Sequence, residues 1–151
     1  MTLTPSASIS IKLVENSAEW DSALQVRTRV FVQEQHVPIE HERDTIDEHA
    51  RHLIAQIDGH TVGTARAFKK PDDPGTLWVG RLAVLPEVRG KGVGGALLDH
   101  LIAWGRAEQF SRVRMHAQTQ AIRLYRRHGF TTFGEVFTEE GIEHQEMVLD
   151  L

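Results

Sequence analysis

The sequence predicts an α+β (mixed α/β) fold of one domain, with elements in the order β-α-β-β-β-α-β-α-β-β. Three observations carry that expectation. Asp58-Gly59 lies between two apolar runs and suits the positive φ of a tight hairpin turn. The apolar run Thr76–Val84 leads through a glycine-dense loop into an amphipathic helix and then another strand, the pattern of a β-α-β crossover. At 151 residues and 40% hydrophobic, the chain can bury a core of its own but is short for two domains.

Each element has a local reason. Residues 1–8 have no periodicity and are expected to fray. Ile9, Ile11 and Leu13 alternate with polar neighbours, as in a short strand. From Asn16 to about Gln35 the spacing of Trp20, Leu24, Arg27, Val30 and Phe31 is helical, with Ser17 as cap and Pro38 as stop. Residues 39–50 are polar and acidic and read as a loop. His52–Ile57 and Thr61–Phe68 form the hairpin, and Lys69–Gly75, with two prolines and two aspartates, reads as a turn. Pro86 closes the Thr76–Val84 strand. Leu97, Leu98, Leu101, Ile102 and Trp104 then mark one helix face. Arg112–His116 is a strand, Thr119–Arg127 a short helix ended by Gly129, and Thr131–Phe137 and Glu143–Leu149 are two closing strands around Glu140-Gly141.

Composition removes several classes of function. A net charge of −4 argues against a general nucleic-acid binder or a binder of anionic membranes. Without cysteine there are no disulfides, thiolate metal sites or cysteine nucleophiles. No apolar run approaches the ~20 residues of a membrane span, and the start has no signal-peptide pattern. A cytoplasmic protein is expected. The pair His49-x-x-His52 spans a loop-to-strand boundary rather than a helix face, so no metal is expected. No Gly-x-Ser-x-Gly elbow supports hydrolysis.

The stretch that speaks about chemistry is Trp78–Leu98, WVGRLAVLPEVRGKGVGGALL. Glycines there let the backbone approach a ligand, amides at a helix N-terminus point outward, and the helix dipole adds partial positive charge. Arg89 and Lys91 add full charges. The bland reading is a glycine turn without ligand. Against it stands the cost of four glycines in six positions, ~1 kcal/mol each inside a helix. A Walker A loop would need Ser or Thr after Lys91, and Gly92 is there instead. Gly90-x-Gly92-x-x-Gly95 matches the dinucleotide fingerprint literally, but the next strand ends in His-Ala-Gln rather than the ribose-binding acid.

Arg89-x-x-Gly92-x-Gly94 resembles the acyl-CoA pyrophosphate loop of the GNAT acetyltransferase superfamily, and Arg81-Leu82-Ala83-Val84 with Pro86 resembles that family's central strand and its exit. Downstream, Gln118-x-x-Ala121-x-x-Leu124-Tyr125 and Gly129-Phe130 resemble its second motif, with Gln118 where Asn is commoner. Arg29-Val30-Phe31-Val32-x-Glu34-Gln35, then Glu42-x-Asp44 and Asp47, resembles a branch of small bacterial members termed ElaA-like or YjcF-like.

The resemblance implies an N-acetyltransferase that moves an acetyl group from acetyl-CoA to a primary amine by direct attack in a ternary complex. A non-catalytic acyl-CoA-binding or regulatory module on the same fold is the alternative. It implies that the loop Arg89, Gly90, Lys91, Gly92, Val93 and Gly94 holds the pyrophosphate. It also implies that the edge of Leu82, Ala83 and Val84 pairs with the pantetheine arm, that an N–H near Val84 faces the thioester oxygen, and that Gln118 lies toward the cofactor.

Tyr125, the only tyrosine, would protonate the departing thiolate; the bland reading packs it in the core through Leu124 and Phe130. Glu34 and His116 are candidate bases, with Glu42, Asp44 and Asp47 in the acidic loop beside them, and for each a surface or loop role is the competing reading. The acids of residues 40–48 read either as a rim that attracts a cationic amine or as a solvated loop. The acceptor, a small-molecule or protein amine, and a homodimer are left open by the sequence.

Overall fold

The computed structural model describes residues 8–151, so the fraying expected at the amino terminus lies almost wholly outside the described residues. The expected elements are present in the expected order. They are β1 (Ile9–Leu13), α1 (Ser17–Arg27), β2 (Arg51–Ile57), β3 (His60–Lys70), β4 (Asp73–Val84), α3 (Val93–Ala107), β5 (Arg112–Gln118), α4 (Ile122–Arg127), β6 (Thr131–Glu139) and β7 (Ile142–Asp150), with a one-turn helix α2 (Ile39–Glu42) added after α1. The strands make one seven-stranded sheet in the order β1-β2-β3-β4-β5-β7-β6. β1 runs antiparallel to β2, and β7 runs antiparallel to both β5 and β6. The crossover through α3 makes β4 and β5 parallel.

Four local expectations change. Asn16, not Ser17, caps α1: its side-chain oxygen accepts from the Glu19 amide at 2.9 Å. Past Arg27 the helix widens into a π-helical stretch, Thr28–Glu34, whose exit bond runs from Gln35 N to Val30 O, five residues back. Residues 39–50 are not a loop throughout, because α2 and a 3₁₀ turn (Thr45–Glu48) organise them. The expected Lys69–Gly75 turn shrinks to residues 71–72, since β3 and β4 continue to Lys70 and from Asp73. At the other hairpin, Asp58 and Gly59 take φ of 50° and 79°, the left-handed pair that such a turn needs.

The chain forms two compact units, and the central hairpin passes through both. One unit joins the residues up to Arg66 with Arg81–Leu97. Its buried side chains include Ala23, Val26, Val30 and Phe31 from the first helical segment, Ile54 and Val62 from the sheet, and Val93 and Leu97 from the start of α3. Gly63 sits under that start: a Cβ built on it would lie 2.9 Å from Val93 Cγ1 and 3.3 Å from Ala83 O. The other unit joins Ala67–Gly80 with Leu98–Leu151 and buries Leu77, Leu98, Leu101, Val113, Met115, Phe130 and Met147.

Candidate active site

The glycine loop opens α3 as a cradle. Gly90 and Gly92 have φ of 79° and 89°, and a Cβ added at either would meet nothing within 4 Å. Glycine is therefore required by the backbone here, not by crowding, and the space over it is open. The first helical bond runs from Ala96 N to Gly92 O at 3.0 Å. The amides of residues 93–95 precede that bond, which is the anion-facing end of a helix. Gly94 lies inside α3, and the Val93 side chain is buried, anchoring the helix start.

Arg89 does something other than reach for an anion. Its guanidinium takes both oxygens of Glu34 at 2.7 Å, and its Nε donates to Val84 O at 3.0 Å. Its amide donates to Pro86 O at 3.3 Å. Beside it Arg29 holds Glu87 through two hydrogen bonds of 2.8 and 3.0 Å. The π-helical stretch thus reaches the turn before the glycine loop with one acid and one base, each matched. Lys91 is exposed. Glu34, a candidate base from the sequence, is held below the usual carboxylate range by the Arg89 hydrogen bonds, which makes it a weaker base.

The strand that feeds the loop carries a break. Parallel pairing of β4 with β5 runs from Thr76↔Arg112 to Val79↔Met115. Two residues later Arg81 takes a φ of 51°, a left-handed conformation that costs a non-glycine residue ~1–2 kcal/mol. Leu82, Ala83 and Val84 follow directly; Ala83 is buried, and Leu82 and Val84 are half-buried.

The acids of residues 42–47 are neither an amine-attracting rim nor a solvated loop. Glu42 is buried, accepting from Arg27 Nε and from Arg81 Nε, each at 2.9 Å, and from Arg43. Asp44 takes Arg66 at 2.6 and 2.9 Å and Arg81 at 3.2 Å. Asp47 takes Arg27 at 2.8 and 2.9 Å and Arg66 at 2.9 Å. Burial acts to raise the Asp47 carboxyl, and the Arg27 and Arg66 hydrogen bonds and charges outweigh it, so it falls to about 2. Asp44 is lowered by the same balance. His52, its ring tilted 58° against that of Trp20 with centroids 4.4 Å apart and hydrogen-bonded to Asp47 O, is pushed down chiefly by burial. Arg27 and Arg66 are the residues the sequence reading passed over. The available signal was an arginine at an apolar-periodic helix position and another within the strand-like run Thr61–Phe68.

In the second unit Tyr125 is buried on α4, its ring edge-on to Phe130 with centroids 6.1 Å apart. Burial pushes its phenol up to about 12, so it keeps its proton at any neutral pH. The packing contact expected of a core tyrosine is thus present. His116 is exposed on β5, with Nδ1 3.1 Å from Glu139 Oε1 and its ring against Phe137 and Trp78. Gln118 ends β5, where its Oε1 accepts from Gln120 at 2.6 Å.

The model of the Acetyltransferase (GNAT) family matches residues 17–130, a span that takes in the π-helical stretch, the glycine loop and Tyr125. The chain belongs to the GNAT acetyltransferase family. A relative from Bacillus subtilis, described as the uncharacterized N-acetyltransferase YjcF, is 34% identical over 142 residues, covering 91% of this chain and 97% of its own. The crystal structure of an acyl-CoA N-acyltransferase from Pseudomonas aeruginosa is 29% identical with a TM-score of 0.80, covering 95% of this chain and 99% of that one. That of Escherichia coli ElaA is 26% identical with a TM-score of 0.82, covering 94% and 98%. The seven-stranded, mostly antiparallel sheet is the GNAT fold, and membership supports acyl transfer from an acyl-CoA as the reaction class.

Proposed function

We propose that this GNAT protein transfers an acetyl group from acetyl-CoA to a primary amine, by direct attack of the neutral amine while both substrates are bound. The observation that carries the reading is the cradle at Gly90–Gly94, where two glycines at positive φ leave open space beside the amides that start α3. A pyrophosphate fits that donor set: it is an anion, and the site offers backbone N–H groups, a helix dipole and Lys91. When bound, acetyl-CoA supplies an activated acyl thioester.

The chain's own residues do the rest. The amides of Gly92, Val93 and Gly94 hold the pyrophosphate. The β4 edge at Leu82–Val84 aligns the pantetheine arm as an added strand, and an amide near Val84 donates to the acyl oxygen, worth ~3 kcal/mol when well aimed. Arg89 acts from behind, fixing the Val84 carbonyl while Glu34 holds its guanidinium. Tyr125 Oη, protonated at neutral pH, gives its proton to the departing thiolate. His116, held at Nδ1 by Glu139, is the candidate for taking the amine's proton. Gln118 contacts the cofactor from the end of β5.

Calorimetry with CoA, followed by acetyl-CoA turnover over a panel of small and peptide amines, tests this. Binding with turnover is expected. Binding without turnover on any amine would leave an acyl-CoA-binding module, and absence of binding would remove the acyl-CoA reading altogether.

A further inference from the structure

The left-handed conformation of Arg81 lies in mid-strand, between a stretch of β4 that pairs with β5 and the stretch Leu82–Val84. A side chain other than glycine holds that conformation only when something fixes it from outside. Glu42 and Asp44 supply the fixing contacts. Arg81 Nε donates to Glu42 Oε2 at 2.9 Å and to Glu42 O at 3.2 Å, while a terminal nitrogen donates to Glu42 O at 3.0 Å and to Asp44 Oδ2 at 3.2 Å.

Glu42 is itself immobile. It is 1% exposed, and Arg27, equally buried, binds both its carboxylate at 2.9 Å and its carbonyl at 2.9 Å. Asp44 is clamped in turn by Arg66 of β3. The guanidinium of Arg81 therefore meets a rigid acceptor set built from α1, α2 and β3, and the backbone of Arg81 has to follow its side chain.

We infer that Glu42 and Asp44 are positioning residues: by holding Arg81 they impose the left-handed break in β4 that turns the Leu82–Val84 edge toward the pantetheine arm. This rests on the acyl-CoA reading above and extends it to residues that touch no substrate. It separates two halves of one binding site. The pyrophosphate half depends on the glycine loop, whereas the pantetheine half depends on the ion cluster, where the Arg81 guanidinium bonds to His41, Glu42 and Asp44.

The separation sets the test. Removing Arg81 leaves three arginines against three carboxylates in the cluster, so it is the least disruptive cut. Arg81→Ala loses the anchor and still disfavours positive φ, whereas Arg81→Gly loses the anchor but adopts positive φ freely. CoA and 3′-phosphoadenosine 5′-diphosphate, which has the pyrophosphate without the pantetheine arm, are the two probes, titrated calorimetrically into full-length protein.

Arg81→Ala is expected to weaken CoA binding about tenfold or more, while the nucleotide stays within about threefold of wild type. Arg81→Gly is expected to recover most of the lost CoA affinity, and Glu42→Gln should show the alanine pattern where it folds. Equal loss of both probes in Arg81→Ala, unchanged CoA affinity, or a glycine variant no better than alanine would each overturn the inference. Wild-type protein that binds neither probe would overturn the acyl-CoA reading and the inference with it.

Discussion

Replacing Gly92 with alanine separates the cost of a backbone conformation from the cost of an occupied ligand site. Gly92 has φ of 89°, where an L residue is strained, yet its added Cβ meets nothing within 4 Å. The loss in folding stability is therefore conformational alone, ~1–2 kcal/mol, which lowers the melting temperature of a chain this size by roughly 2–8 °C. Binding suffers differently. A phosphate oxygen accepts from an amide at ~2.9 Å, and a methyl group beside that amide fills the approach. Loss of one or two charge-assisted hydrogen bonds, ~1.5–3 kcal/mol each, weakens CoA on the order of 100-fold. Gly59 supplies the matched control, because it has φ of 79°, meets nothing within 4 Å, and sits in the β2–β3 turn. Gly59→Ala should cost similar stability and leave CoA affinity alone. Calorimetry and thermal melts on both variants decide it. A folded Gly92→Ala protein with CoA affinity within threefold of wild type would refute the cradle.

Gly63→Ala should destabilise by ~1–3 kcal/mol in urea unfolding, because its Cβ would press on the stiff Val93 side chain at 2.9 Å and on Ala83 O at 3.3 Å; a neutral result would mean that the start of α3 packs less closely than described. Tyr125→Phe should keep ring packing and CoA affinity but lower single-turnover acetyl transfer by ~10²–10⁴-fold, and a rate within threefold of wild type would return Tyr125 to a packing role. Asp47, lowered to about 2 from the usual 3.8, contributes ~2 kcal/mol that is fully present above its unfolded pKa and is lost as pH falls through the folded value. The stability gap between wild type and Asp47→Asn should accordingly shrink by ~1 kcal/mol between pH 6 and pH 3, and a gap constant with pH would contradict the ion pairing.

What could be read from the chain without coordinates was the chemistry that is local in sequence. The glycine loop, the Asp58-Gly59 turn and the apolar face of α3 depend on neighbours within one or two turns, and each stands where expected. The π-helical widening after Arg27 was invisible, because bonds that reach back five residues instead of four over Thr28–Glu34 still leave Val30 and Phe31 buried. Asn16 and Ser17 are both good caps, and only the Glu19 amide decides between them.

The acidic segment was misjudged for a different reason, and the correction alters the functional picture. The partners of its acids lie far along the chain: Arg27 is 15 residues from Glu42, Arg66 is 22 from Asp44, and Arg81 is 39 from Glu42. No periodicity links charges so separated, so each acid taken alone resembles a solvated loop residue. Together, Glu42, Asp44 and Asp47 face Arg27, Arg43, Arg66 and Arg81, and the cluster carries one more positive than negative charge. A net-positive cluster presents no attractive field to a cationic amine; only the exposed Glu40 and Glu48 of that run could do so. Burying such a cluster is a poor route to stability, since well-packed apolar residues would commonly serve as well or better. The use we infer for it is to fix a geometry that apolar packing does not dictate, the strained backbone at Arg81.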